Sequence, residues 1–193
     1  MRTPWNALAL STLAALLLFA ASPARADVYS IDPQHTFPSF EVSHLGFSTQ
    51  RGRFNRTSGS IRYDRSAQTL SAEIQIDAAS VDTGLDKLEE HLKGPDFFNV
   101  EMFPEIVFKG SSARFDGQRP VVLSGEFTLL GVTRPLNLTL NNFRCGMHPR
   151  LQKEVCGADA SGMIRRSDFG MDYGLPVIGD HVRLLIQVEA LKD

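Results

Sequence analysis

Five histidines, His35, His44, His91, His148 and His181, are the groups best suited to move protons or hold a metal near neutral pH. No two of them fall at i and i+4 on a predicted helix. His35 and His44 meet only if neighbouring strands or a bend bring them together. A metal centre needs three convergent ligands, and the spacing supplies no such set. Asp77, Asp82, Asp86, Glu89 and Glu90 read as a strand end, a helix cap and a solvated helix face rather than an acid–base pair. Gly-rich phosphate loops, GxSxG and HExxH are absent from the sequence. Asp168-Phe169-Gly170 spells the kinase magnesium triplet but lacks the companion loops. No catalytic residue, metal or cofactor is therefore expected.

Two other groups carry chemistry. Arg51, Arg53 and Arg56 surround Phe54, and three guanidinium groups at a strand end are candidate contacts for an anionic head group. Cys145 and Cys156 are the only cysteines. Arg2, an apolar run from Ala7 to Ala21, and small residues Ala24 and Ala26 form a secretory leader over residues 1–26, cut after Ala26. The apolar run is too short to span a bilayer. The expected domain is 27–193, located in the periplasm, where the cysteine pair is expected to form a disulfide. The formal net charge of −2 offers no basic excess for a phosphate backbone, so nucleic acid is not an expected partner.

The elements that must position these groups are strands. Leu70, Ala72, Ile74 and Ile76 alternate with polar residues, as do Leu136, Leu138 and Leu140. Val182, Leu184, Ile186 and Val188 repeat the pattern. Period two buries one face and wets the other, as in antiparallel sheets. Further strands are predicted over 37–44, 53–63, 106–115, 121–130 and 155–165. One helix is expected from Leu85, Leu88 and Leu92, capped by Asp82 or Thr83 and ended by Gly94, with a second helical turn over 95–98. About eight strands without βαβ alternation indicate an all-β antiparallel barrel or sandwich. An eight-stranded barrel either fills its interior or holds one small ligand. The 13 phenylalanines, against 3 tyrosines and 1 tryptophan, suit an interior without hydrogen-bonding demands.

Ordered motifs run through the chain. They include Tyr29-Ser30-Ile31-Asp32-Pro33-Gln34-His35-Thr36, Phe40-Glu41-Val42-Ser43-His44-Leu45-Gly46 and Gly52-Arg53-Phe54. Ser80-Val81-Asp82-Thr83-Gly84 follows, then the segments 91–98 and 103–108. Gly125-Glu126-Phe127-Thr128-Leu129-Leu130-Gly131-Val132-Thr133-Arg134-Pro135 and Arg166-Ser167-Asp168-Phe169-Gly170-Met171 complete the set. On these residues the chain resembles the YceI-like family of exported polyisoprenoid-binding proteins. The resemblance implies an eight-stranded, lipocalin-like antiparallel barrel with a short helical excursion. It also implies an elongated apolar cavity for a polyisoprenoid, isoprenoid quinone or similar amphiphilic lipid, and no shared catalytic set. The cysteine pair departs from the common pattern and marks a subgroup.

Pattern and resemblance together place Phe40, Val42, Ile74, Ile76, Phe108, Leu138, Leu184 and Ile186 on the inward face. The helical segment adds Leu88, Leu92, Phe97 and Phe98. The leading expectation is a non-catalytic lipid carrier that touches a membrane surface transiently, as a monomer or a homodimer. Two alternatives stand beside it. One is an enzyme acting on the bound lipid or quinone through His35, His44 or the arginine group. The other is a stress-response scaffold that binds a protein partner.

Overall fold

Strands β1 (Asp27–Ile31) and β2 (Phe37–His44) both pair antiparallel with the last strand, β11 (Ile178–Lys192). Tyr29 faces Lys192 at one end of β11, and Phe40 faces Leu184 further along it. The two short strands are thus successive halves of one barrel stave. The break between them is a turn in which Asp32 accepts from the Gln34 N–H through its side chain and from the His35 N–H through its carbonyl. The computed structural model describes residues 26–193, so the leader expected over 1–26 lies, but for Ala26, outside the described residues.

The next stave is also split, into β3 (Ser48–Phe54) and β4 (Thr57–Asp64). One strand over 53–63 was expected, and the break at 55–56 corrects this. Asn55 N–H donates to the Ser80 carbonyl, and Arg56 N–H donates to the Ser80 hydroxyl at 3.0 Å. The ladder is diverted to the 3-10 turn Ala78–Ser80, which separates β5 (Thr69–Asp77) from the short β6 (Val81–Asp82). Long strands β7 (Glu105–Asp116), β8 (Arg119–Leu129), β9 (Val132–Met147) and β10 (Glu154–Arg165) follow. The ring runs β1-β4-β5-β7-β8-β9-β10-β11 and closes where β11 meets β1. The result is the expected closed, eight-stranded antiparallel barrel. Closure removes the unpaired edges that an open sheet would present.

Alternation decides which face is core. In β9, Leu136, Leu138 and Leu140 are buried between exposed Asn137, Thr139 and Asn141. In β8, Leu123, Phe127 and Leu129 are buried. Cys145 and Cys156 face each other across β9 and β10 with Cα atoms 4.0 Å apart, and the disulfide is formed. Replacing both cysteines with serine is expected to lower the unfolding free energy by about 3 kcal/mol, from lost loop entropy. A denaturant midpoint equal to that of the oxidised wild type would contradict this.

The helix α1 spans Asp86–Lys93. Its cap differs from the expected one. Leu85 occupies the N-cap and is exposed, and no side chain caps the backbone there. Asp82 instead accepts from Gly84 N–H, and Glu89 reaches back to Thr83 N–H at 2.9 Å. Leu88 packs against the core and Leu92 is buried, so the apolar stripe begins one turn later than the spacing suggested. Residues 95–98 form turns rather than a second helix. There Phe98 N–H donates to the Leu92 carbonyl at 2.9 Å, which folds Phe97 and Phe98 back beneath α1.

Candidate binding cavity

The barrel interior contains two adjoining apolar chambers of about 90 Å³ each. The first lies beneath α1 and the loop after β10, where Leu92, Phe97, Phe98 and Met171 supply non-strand walls. Strand residues Val42, Ile164, Ile178 and Val182 complete it. The second is walled by strands alone, including Ile74, Ile76, Phe108, Leu136, Leu138 and Ile186. All the inward candidates expected from sequence line one chamber or the other, except Leu88. Leu88 sits on the flank of α1 and supports the core without reaching a chamber.

Several lining residues escaped the pattern. Ile106 follows Pro104 at the very start of β7, and Ile178 opens β11 ahead of its clear alternation. The Ile106/Phe108 spacing was the available signal. Arg166 had none beyond its place in a motif. It is 3% exposed and is the only charged residue lining either chamber among the described residues. Its Nε donates to the Gly179 carbonyl at 2.9 Å, Nη1 to Met171 at 3.0 Å and Nη2 to Ile178 at 3.1 Å. Burial pulls its pKa down, and the charges of Asp180 and Asp172 oppose this. The guanidinium still stays charged at neutral pH. Gly170 takes the left-handed conformation, φ +81°, and closes the 3-10 turn 166–169.

Arg51, Arg53 and Arg56 do not converge on the cavity. On β3 the inward positions are Gly52 and Phe54, so Arg51 and Arg53 face outward by the same period of two. Arg51 pairs with Glu41 at 2.8 Å, Arg53 with Asp82 at 3.4 Å and Arg56 with Asp77 at 2.7 Å. Each guanidinium pairs with a carboxylate on the outer surface, and none lines either chamber.

The histidines do not assemble either. His44 ends β2, whereas His35 pairs through Nδ1 with Asp32 at 2.8 Å. Asp32, His35 and Glu189 bring ligand-type atoms within 4.8 Å of one another, but the first two are already bonded together. The hydrogen bond and charge of Asp32 raise the His35 pKa above its ordinary 6.5. Partial burial pushes Asp32 up, but bonds from His35 and the Gln34 N–H outweigh it and hold the carboxyl below 3.8. The His35 contribution is complete below its unfolded pKa and is lost as pH rises through the raised folded value. The Asp32 contribution is present above its unfolded pKa and fades as pH falls through the depressed one. The melting difference between wild type and His35→Gln should therefore be largest between about pH 4 and 6.5 and shrink toward pH 8. An equal difference at pH 5 and pH 8 would show that charge plays no part.

A closed antiparallel barrel with a polar exterior and an apolar, partly hollow interior defines a lipocalin-like binding barrel. The chain belongs to the YceI-like family: the YceI-like domain matches residues 29–190. It is 33% identical over 181 residues to Protein YceI of Escherichia coli O6:H1, covering 92% of this chain and 94% of that one. The crystal structure of Burkholderia cenocepacia BcnA shares the fold with a TM-score of 0.69 at 21% identity, over 83% of this chain and 99% of that one. A polyisoprenoid binding domain from Saccharophagus degradans, implicated in plant cell wall breakdown, superposes with a TM-score of 0.61 at 19% identity. That match covers 86% of this chain and 98% of the other.

Proposed function

We propose that the protein is exported and that its barrel sequesters the tail of an isoprenoid lipid, a polyisoprenoid or isoprenoid quinone, and shields it from water. The observation that carries this reading is the pair of apolar chambers inside a closed barrel, set on either side of shared phenylalanine walls. The polyisoprenoid-binding name of the Saccharophagus degradans neighbour points the same way. The leader pattern and the Cys145–Cys156 disulfide support an oxidising compartment.

Magnitudes favour a tail over a polar ligand. Two isoprene units, ten carbons, gain about 8 kcal/mol gross at ~0.8 kcal/mol per buried group. Association and ordering consume much of this, so tight binding needs further contacts. A polar ligand would find almost no hydrogen-bonding partners in walls of Phe, Leu, Ile and Val, and would lose its water contacts without replacement.

The test is native mass spectrometry of the protein from a periplasmic preparation made without detergent, followed by denaturation and identification of released lipid. A stoichiometric isoprenoid on a chain beginning at Asp27 is the expected result. A single unliganded mass that persists after incubation with prenols and quinones would overturn the carrier reading.

A further inference from the structure

Phe40, Phe54, Ile106, Phe127 and Leu184 line both chambers and so form the partition between them. Within it the Phe40 and Phe54 rings lie 6.0 Å apart, and Phe98 packs on both at 6.3 and 5.4 Å. The position of Phe40 is set from the neighbouring strand. Phe40 faces Gly52 across β2 and β3, and a Cβ on Gly52 would collide with Phe40 Cζ. The ring therefore lies across bare backbone, an aromatic–glycine pairing that pins it in the barrel.

The two chambers are not equivalent. The first is bounded in part by α1 and two loop segments, which are not held in the barrel's strand ladder. The second is bounded by hydrogen-bonded strands on every side. A tail admitted at the loop-covered end fills the first chamber and then meets the partition. At 10–15 Å³ per water-sized group, each chamber accommodates roughly one to two five-carbon units.

We propose that Phe40, held by Gly52 and backed by Phe54, sets the length of tail that the barrel accepts. This rests on the tail-binding reading above. Short tails stop at the ring; longer tails gain nothing from the deep chamber until the ring is removed.

The experiment is a titration of delipidated wild type and Phe40→Ala with geraniol, farnesol and geranylgeraniol, one five-carbon unit apart, read by native mass spectrometry. Phe54→Leu is titrated in parallel, because Phe40→Ala leaves a large core void, and thermal melts verify that each variant is folded. Wild-type affinity should change by less than about threefold along the series, while either folded variant should tighten by about tenfold or more as the deep chamber opens. Parallel length profiles for wild type and folded variants overturn the length determinant alone. Absence of binding at every length in all the proteins overturns the tail-binding reading itself.

Discussion

Arg166→Leu is expected to lower the unfolding free energy by about 3–5 kcal/mol, among the largest effects of any single substitution here. The three carbonyls that Arg166 holds belong to Met171, Ile178 and Gly179, at the two ends of the loop that covers the first chamber. Hydrogen bonds to a charged donor are each worth about 1.5–3 kcal/mol, and a leucine leaves these acceptors without it. Removing a buried charge returns part of that cost, so the sum is not reached. Arg166→Lys should recover only a fraction, because a single ammonium cannot reproduce three donors fixed in a planar fork. Chemical denaturation checks both values, and hydrogen exchange across 171–179 checks the location. An Arg166→Leu protein as stable as wild type would show that the buried guanidinium is not the tie that holds this loop.

Gly125→Ala should cost about 2–4 kcal/mol, although it adds a single methyl group. Gly125 on β8 faces Gly110 on β7, and just beyond this pair the ladder shifts register between Gly110 and Ser112. A Cβ at Gly125 would run into the Lys109 carbonyl oxygen and crowd Gly110 Cα. These contacts are with backbone, which cannot rotate away as a side chain can. The paired glycines let two strands bend sharply where the barrel curves, a role seen for glycine in strongly coiled sheets. Gly110→Ala is expected to be milder, since its Cβ would meet the Leu123 side chain instead. Equal losses at the two positions, measured by thermal or denaturant unfolding, would show that close approach of the backbones is not the cause.

Much of the wall was legible from residues alone because period two depends only on strand geometry. Ile74, Ile76, Leu138, Leu184 and Ile186 were placed inward by alternation, and they line the second chamber. Strand β1 was not identified as a strand from alternation, because five residues carry too little of the pattern and its pairing is completed by β4 and β11. The single strand expected over 53–63 breaks because Ser80, distant in sequence, intercepts the backbone of residues 55 and 56. Arg51, Arg53 and Arg56 looked like an anion site in one dimension. Their partners Glu41, Asp82 and Asp77 arrive from three other parts of the chain.

The amino-acid sequence by itself determined the family, the all-β class, the inward face of most strands, the region of the helix and the pair of cysteines able to meet. These follow from local periodicity, residue chemistry and ordered motifs. The tertiary structure alone decided that β11 closes the ring, that Arg166 is buried among carbonyls, and that Phe40 lies over Gly52 and divides the interior in two. Each of those depends on which distant segments are paired and in which register. Period two specifies the face a residue occupies but not the neighbour it meets there.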